Sequence, residues 1–235
     1  MLNYIENLKE EIIKHTQELI RIPSVGSTSN NINMPFGENA NKALEYVLNL
    51  GKNLGFKIKK LDGYCGYIEF GEGEELLGII GHLDVVPEGE GWTFPPFSAT
   101  IHDNKIFGRG AIDDKGPVIS SLYAMKAVME NCHVQKRVRL ILGLNEEKNW
   151  NCIKHYNAGE QCPFDNIILS LSSHFGFFSS MFNSLKYSTV KISAIESEPP
   201  GCPELALYTC SIIPFLIVVA IFFNSSISVI FTKIT

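Results

Sequence analysis

An apolar run, Leu76-Leu77-Gly78-Ile79-Ile80, leads directly into Gly81-His82-Leu83-Asp84-Val85-Val86-Pro87. It predicts a buried strand that delivers a histidine and a carboxylate together at its end. Residues two apart on an extended backbone point to the same side. Asp84 can therefore reach one ring nitrogen of His82 and leave the other for a metal, the usual arrangement of a carboxylate behind a ligating histidine. The dyad alone fits a polar strand end equally well, because a His-x-Asp pattern is short.

Two further acidic clusters weigh against that plainer explanation. The first lies in Gly108-Arg109-Gly110-Ala111-Ile112-Asp113-Asp114-Lys115-Gly116-Pro117, ahead of a pattern that sets Val118, Leu122, Met125 and Met129 on one helical face. Pro117 suits a first helical turn, so the aspartates sit at a helix N-terminus, where carboxylates are electrostatically favoured. A helix cap accounts for one of them. It does not account for both. The second cluster, Asn145-Glu146-Glu147, ends the strand-like run Arg137-Val138-Arg139-Leu140-Ile141-Leu142-Gly143-Leu144. Adjacent carboxylates there repel unless a cation or a proton intervenes, although a solvated loop is the ordinary alternative.

Between these clusters the chain alternates helix and strand patterns. Ile5, Leu8, Ile12 and Leu19 predict a first helix, and Ala43, Leu44, Val47 and Leu54 a second, stopped near Gly55. Strands are expected over 56–61, 67–70 and 76–80, with a hairpin turn at His102-Asp103-Asn104-Lys105. The helix after Pro117, the strand ending at Leu144 and a helix containing Ile153 and Tyr156 follow. Such alternation predicts an α/β fold with a mixed, mostly parallel sheet flanked by helices. Its active site would lie at the carboxyl ends of the strands.

The segments Gly81–Pro87, Trp92–Phe97, Gly108–Pro117 and Asn145–Glu147 resemble the di-zinc metallopeptidases that include aminoacylase, succinyl-diaminopimelate desuccinylase and PepV-like dipeptidases. The PepV-like branch fits best, through Ile20-Arg21-Ile22-Pro23-Ser24-Val25 and Trp150-Asn151-Cys152-Ile153-Lys154-His155-Tyr156. The resemblance covers about residues 1–163. It implies that His82 ligates one zinc, Asp113 bridges two zincs and Glu147 ligates the other. It further implies that Glu146 is the general base, that Asp84 orients His82 without touching metal, and that the Asp113–Asp114 peptide bond is cis. The implied reaction is hydrolysis of the amide bond of dipeptides or short peptides.

Composition marks where the resemblance stops. After residue 162 only Asp165, Lys186, Lys191, Glu196, Glu198, Glu204 and Lys233 are charged. The family's next carboxylate ligand would fall near Ser170, with Asp165 as a displaced substitute. The family's distal histidine has no counterpart; His155 and His174 lie outside any ligand motif. At 235 residues the chain has no room for the family's lid domain as well as its whole catalytic domain. The expectation is a partial catalytic domain over 1–163 and an atypical tail over 164–235, as from a truncated or frame-disrupted gene. Within the tail, about 205–232 is a candidate transmembrane segment: it is uncharged, and about 20 apolar residues span a bilayer. Pro214 and Asn224-Ser225-Ser226 weaken that reading, the β-branched and aromatic residues of the stretch also suit buried strands, and an unselected translation product is the third alternative.

The net charge of −5 argues against nucleic acid, and six scattered cysteines fit reduced thiols in the cytoplasm. Three function classes follow: a zinc dipeptidase acting on small peptides, an inactive fragment that still holds metal, and a membrane-tethered product dominated by its tail.

Overall fold

The first apolar pattern folds as two helices, α1 (Leu2–Asn7) and α2 (Lys9–Ile20), where the spacing predicts one. Leu8 keeps near-helical dihedrals, but its N–H bonds Ile5 O at 2.9 Å, a tighter three-residue turn that separates the two. This computed structural model describes residues 2–160 and the backbone of strands at 166–169 and 206–208. Helix α3 (Glu38–Asn53) leads into β1 (Lys57–Leu61), β2 (Cys65–Phe70) and β3 (Leu76–His82). The hairpin β4 (Thr100–His102) and β5 (Lys105–Phe107) precedes α4 (Lys115–Asn131), β6 (Arg137–Gly143) and α5 (Asn151–Glu160). Two short strands follow, β7 (Asn166–Leu169) and β8 (Ala206–Tyr208).

The main sheet has the order β1-β2-β6-β3-β7. It is mixed: β1–β2 and β2–β6 are antiparallel, β3–β6 and β3–β7 parallel. All seven residues of β3 are buried, as its unbroken apolar run requires of a strand with neighbours on both edges and helices nearby. Side chains of β2 alternate between two covered faces. Ile68 packs under Gly51 of α3, while Tyr67 meets Tyr156 of α5 edge-on at 6.3 Å. Helix α4, buried on nearly every side, lies against β3 and β6. The core joins Ile12, Leu19, Leu44, Val47, Ile68, Ile79, Leu122, Leu140 and Ile153.

Two local features follow from residue chemistry. Asp103 and Asn104, at φ 47° and 59°, supply the two left-handed residues that a tight hairpin turn needs. Across β2 and β6, Glu69 lies directly opposite Arg139, and Glu69 Oε2 accepts from Arg139 Nε at 2.7 Å. The guanidinium also donates to Tyr156 OH at 2.7 Å and lies 3.8 Å from the Tyr67 ring centre.

Strand β7 lies beyond the expected boundary at residue 163 and joins the main sheet beside β3; β8 pairs with β5. Asp165, Ser170, His174 and, apart from β8, the candidate span at 205–232 lie outside the described residues. No described helix is long and apolar enough to cross a membrane.

Candidate metal centre

Parallel pairing of β3 with β6 sets His82 opposite Gly143, so the segments after both strands emerge side by side at one edge of the sheet. Leu83 N–H donates to Gly143 O at 2.9 Å and closes the junction. The N-terminus of α4 reaches the same edge, carrying Asp113 and Asp114. His82, Asp113 and Glu147 thereby converge: one ligand atom from each lies within 4.8 Å of the others. The Asp113–Asp114 peptide bond is cis, as the resemblance implies.

His82 is almost wholly buried, and its two ring nitrogens have separate partners. Nδ1 lies 2.9 Å from the main-chain oxygen of Asp84 and 3.5 Å from the Asp84 carboxylate. Asp84 therefore orients the ring chiefly through its carbonyl, whereas the sequence expectation was contact through the carboxylate. Nε2 faces Asp113 Oδ1 at 2.9 Å and Glu146 Oε2 at 3.7 Å. The Asp84 carboxylate, fully buried, accepts the N–H of Glu146 on Oδ1 and that of Glu147 on Oδ2, each at 3.1 Å. It thus folds the glutamate loop around itself.

Electrostatics explain what such a cluster holds. Burial opposes a charge on His82, but the hydrogen-bonded carboxylate of Asp113 and that of Asp84 outweigh it and raise the imidazole well above its ordinary 6.5. Burial, then repulsion from Asp113, Glu146 and Asp84, push the Glu147 carboxyl up to about 7, with His82 opposing. Anions packed this closely retain protons unless a cation neutralises them. One imidazole nitrogen and two carboxylate oxygens are also donors suited to a divalent transition metal. The residues fit a metal.

Several supporting residues carry no signal in the sequence. Lys115, fully buried, donates to Ile22 O at 2.6 Å, and burial pushes its ammonium down to about 7 against the pull of Asp84. Ser24 Oγ donates to Leu83 O at 2.5 Å, while Val85 N–H returns to Ser24 O. The Ile20–Val25 segment, used above only as a mark of resemblance, is thus strapped to the site. Asn145 Oδ1 accepts Asn151 N–H at 3.3 Å and fixes the exit from the glutamate loop into α5. His155 is engaged elsewhere, stacked on Tyr64 at 4.3 Å and 3.0 Å from Asp62 Oδ2.

Residues 78–176 match peptidase family M20/M25/M40. "Putative dipeptidase YtjP" of Bacillus subtilis (strain 168) is 48% identical over 157 residues, covering 66% of this chain and 34% of that protein. Human carnosine dipeptidase 1 shares the fold at a TM-score of 0.61 and 22% identity, over 71% of this chain and 39% of that one. The M20 family metallo-carboxypeptidase Sso-CP2 from Sulfolobus solfataricus gives 0.55 at 25% identity, over 69% and 37%. The chain spans about a third of the length of the curated relatives it matches. Its likeness to M20 peptidases, visible already at Gly81–Pro87 and Gly108–Pro117, extends to sequence and fold.

Proposed function

We propose that residues 1–163 are part of the catalytic domain of a zinc-dependent dipeptidase that hydrolyses the amide bond of dipeptides or short peptides, with 164–235 an atypical tail that adds β7 and β8 to its sheets. The observation that carries the proposal is the convergence of His82, Asp113 and Glu147 within 4.8 Å, with Glu146 3.7 Å from His82. The dipeptidases among the similar proteins support it.

In this reading His82 and Glu147 would each hold a zinc, and Asp113 would be shared between the two. Bound zinc supplies Lewis acidity toward the scissile carbonyl and toward the attacking water. Glu146 takes the proton from that water on its carboxylate and returns it to the leaving amine. Asp84 keeps the His82 ring in place from behind and holds Glu146 and Glu147 by their amides. The free thiols of Cys65, Cys132 and Cys152 support a reducing, cytoplasmic setting.

A second reading is a metal-holding fragment with little turnover. It is favoured by the sequence around Ser170, near which the resemblance expects a carboxylate ligand. Misplacing reacting groups by about 1 Å costs on the order of a hundredfold in rate, so incomplete ligation impairs hydrolysis. Zinc content measured together with dipeptide hydrolysis separates the readings. Bound zinc with turnover abolished by Glu146→Gln supports the enzyme, bound zinc without turnover the fragment, and no zinc refutes both.

A further inference from the structure

Asp114 occupies the position just before α4, where an aspartate ordinarily spends its carboxylate on the first helical amides. Here it does not cap. No side-chain cap hydrogen bond forms, although the residue is fully buried. Its Oδ2 reaches back 32 residues and accepts the main-chain N–H of His82 at 3.1 Å.

The direction of that amide explains the contact. Successive N–H groups of a strand point to opposite edges, and Leu83 N–H points to β6, where it meets Gly143 O. His82 N–H therefore points to the β7 edge. The described pairing of β3 with β7 ends at Ile80. Asp114 thus supplies an acceptor on that side of β3, beyond the described pairing with β7 and at the ligand histidine that ends the strand.

A chain of braces results. Asp113 meets the ring of His82 while Asp114 holds its main chain, and Asp84, two residues on, holds the amides of Glu146 and Glu147. Each bracing carboxylate lies one or two residues from a ligand of its own segment and grips the backbone of a ligand in another. We propose that Asp114 is a positioning residue that sets the separation of His82 and Asp113, and through Asp84 that of Glu147, before a metal arrives. The proposal rests on the metal-centre reading above, and goes beyond it in assigning to Asp114 a role other than ligand or helix cap.

Cobalt(II), whose visible absorption reports ligand geometry, provides the test with the full chain. Cobalt affinity is measured by competition titration for the wild type, Asp114→Ala and Asp114→Asn, with circular dichroism as the check on folding. Outer partners of metal ligands typically govern affinity by about 10–100-fold. Asp114→Ala is expected to lose that much and to change the cobalt spectrum while keeping the native dichroism. Asn retains one acceptor oxygen, so Asp114→Asn is expected to stay within about threefold of wild type with an unchanged spectrum, a small part of the range for outer partners. A folded Asp114→Ala with wild-type affinity and spectrum overturns the proposal. So does Asp114→Asn if it loses as much as Asp114→Ala, since charge and not the accepted bond would then matter. Should Asp114→Ala not fold, Asp114→Asn decides alone: near-wild-type binding supports the brace and a tenfold loss refutes it. Failure of the wild type to bind cobalt is a different result, which removes the metal-centre reading itself.

Discussion

Replacing Asp84 by alanine removes the carboxylate that accepts two main-chain amides in the glutamate loop, those of Glu146 and Glu147. Glu146 is buried and Glu147 partly so. A buried donor left without a partner costs about 1–3 kcal/mol, so two such donors, one less deeply placed, cost roughly 2–5 kcal/mol. One effect opposes this. Asp84 helps to raise the Glu147 carboxyl, so its removal relieves some repulsion among the carboxylates. Asp84 is the smallest of the causes acting on Glu147, behind burial, Asp113 and Glu146, so the lost hydrogen bonds win. With a denaturant dependence of about 2 kcal/mol per molar urea, the unfolding midpoint should fall by roughly 1–2.5 M. Asp84→Asn, which keeps one acceptor oxygen, should lose about half as much. Urea unfolding followed by fluorescence and by circular dichroism gives both values. A midpoint for Asp84→Ala within about 0.2 M of the wild type would show that the loop does not depend on this carboxylate.

Glu69→Gln should destabilise by about 1–3 kcal/mol, because it removes the nearer of two carboxylates on the buried Arg139 guanidinium and leaves Glu160 at 3.3 Å; a loss below about 0.5 kcal/mol in urea unfolding contradicts the pairing. Gly51→Ala pits a helix-propensity gain of about 1 kcal/mol against an overpacking cost of about 1–3 kcal/mol. The new Cβ would lie 2.6 Å from Ile68 Cδ1, so we expect net destabilisation, and a raised melting temperature refutes it. His15 should titrate below 6.5, because burial disfavours its cation more than Glu18 and Glu11 favour it. The unfolded chain then binds more protons than the folded one below pH 6.5, so this share of stability is present above that pH and lost as pH falls through the folded value. An NMR titration of the His15 ring with a midpoint at or above 6.5 would contradict this.

Some of the fold is local information and was therefore legible in the residues. The apolar run before His82, the Asp103-Asn104 turn and the helix after Pro117 each depend on near neighbours, and each lies where its pattern predicts. The three ligand candidates were legible only through the resemblance carried by Gly81–Pro87, Gly108–Pro117 and Asn145–Glu147, since each cluster alone fits an ordinary strand end, cap or loop. The partners of those residues were not. That Asp84 offers His82 its carbonyl, and that its carboxylate serves a loop 62 residues away, depends on the pairing of β3 with β6. Lys115 reads as an exposed lysine until the segment containing Ile22 is folded over it. The break at Leu8 is equally silent, since the leucine continues the helical spacing while its backbone tightens.

The Glu69–Arg139 contact bears on a question other than its own strength, namely which strand alignment the chain accepts. A slip of one residue between β2 and β6 would turn Arg139 to the opposite face of the sheet, where α3 presents Leu44 and Leu48. A guanidinium without a carboxylate among leucines is among the most heavily penalised arrangements a folding chain can sample. A slip of two residues would restore the face but displace the end of β6 by about 7 Å along its axis. That displacement is relative to β2 alone, since the glutamate loop meets His82 through the separate pairing of β3 with β6. The Glu69–Arg139 pair thus favours the observed alignment of β2 with β6 over its one-residue neighbours, a choice of register as well as a contact.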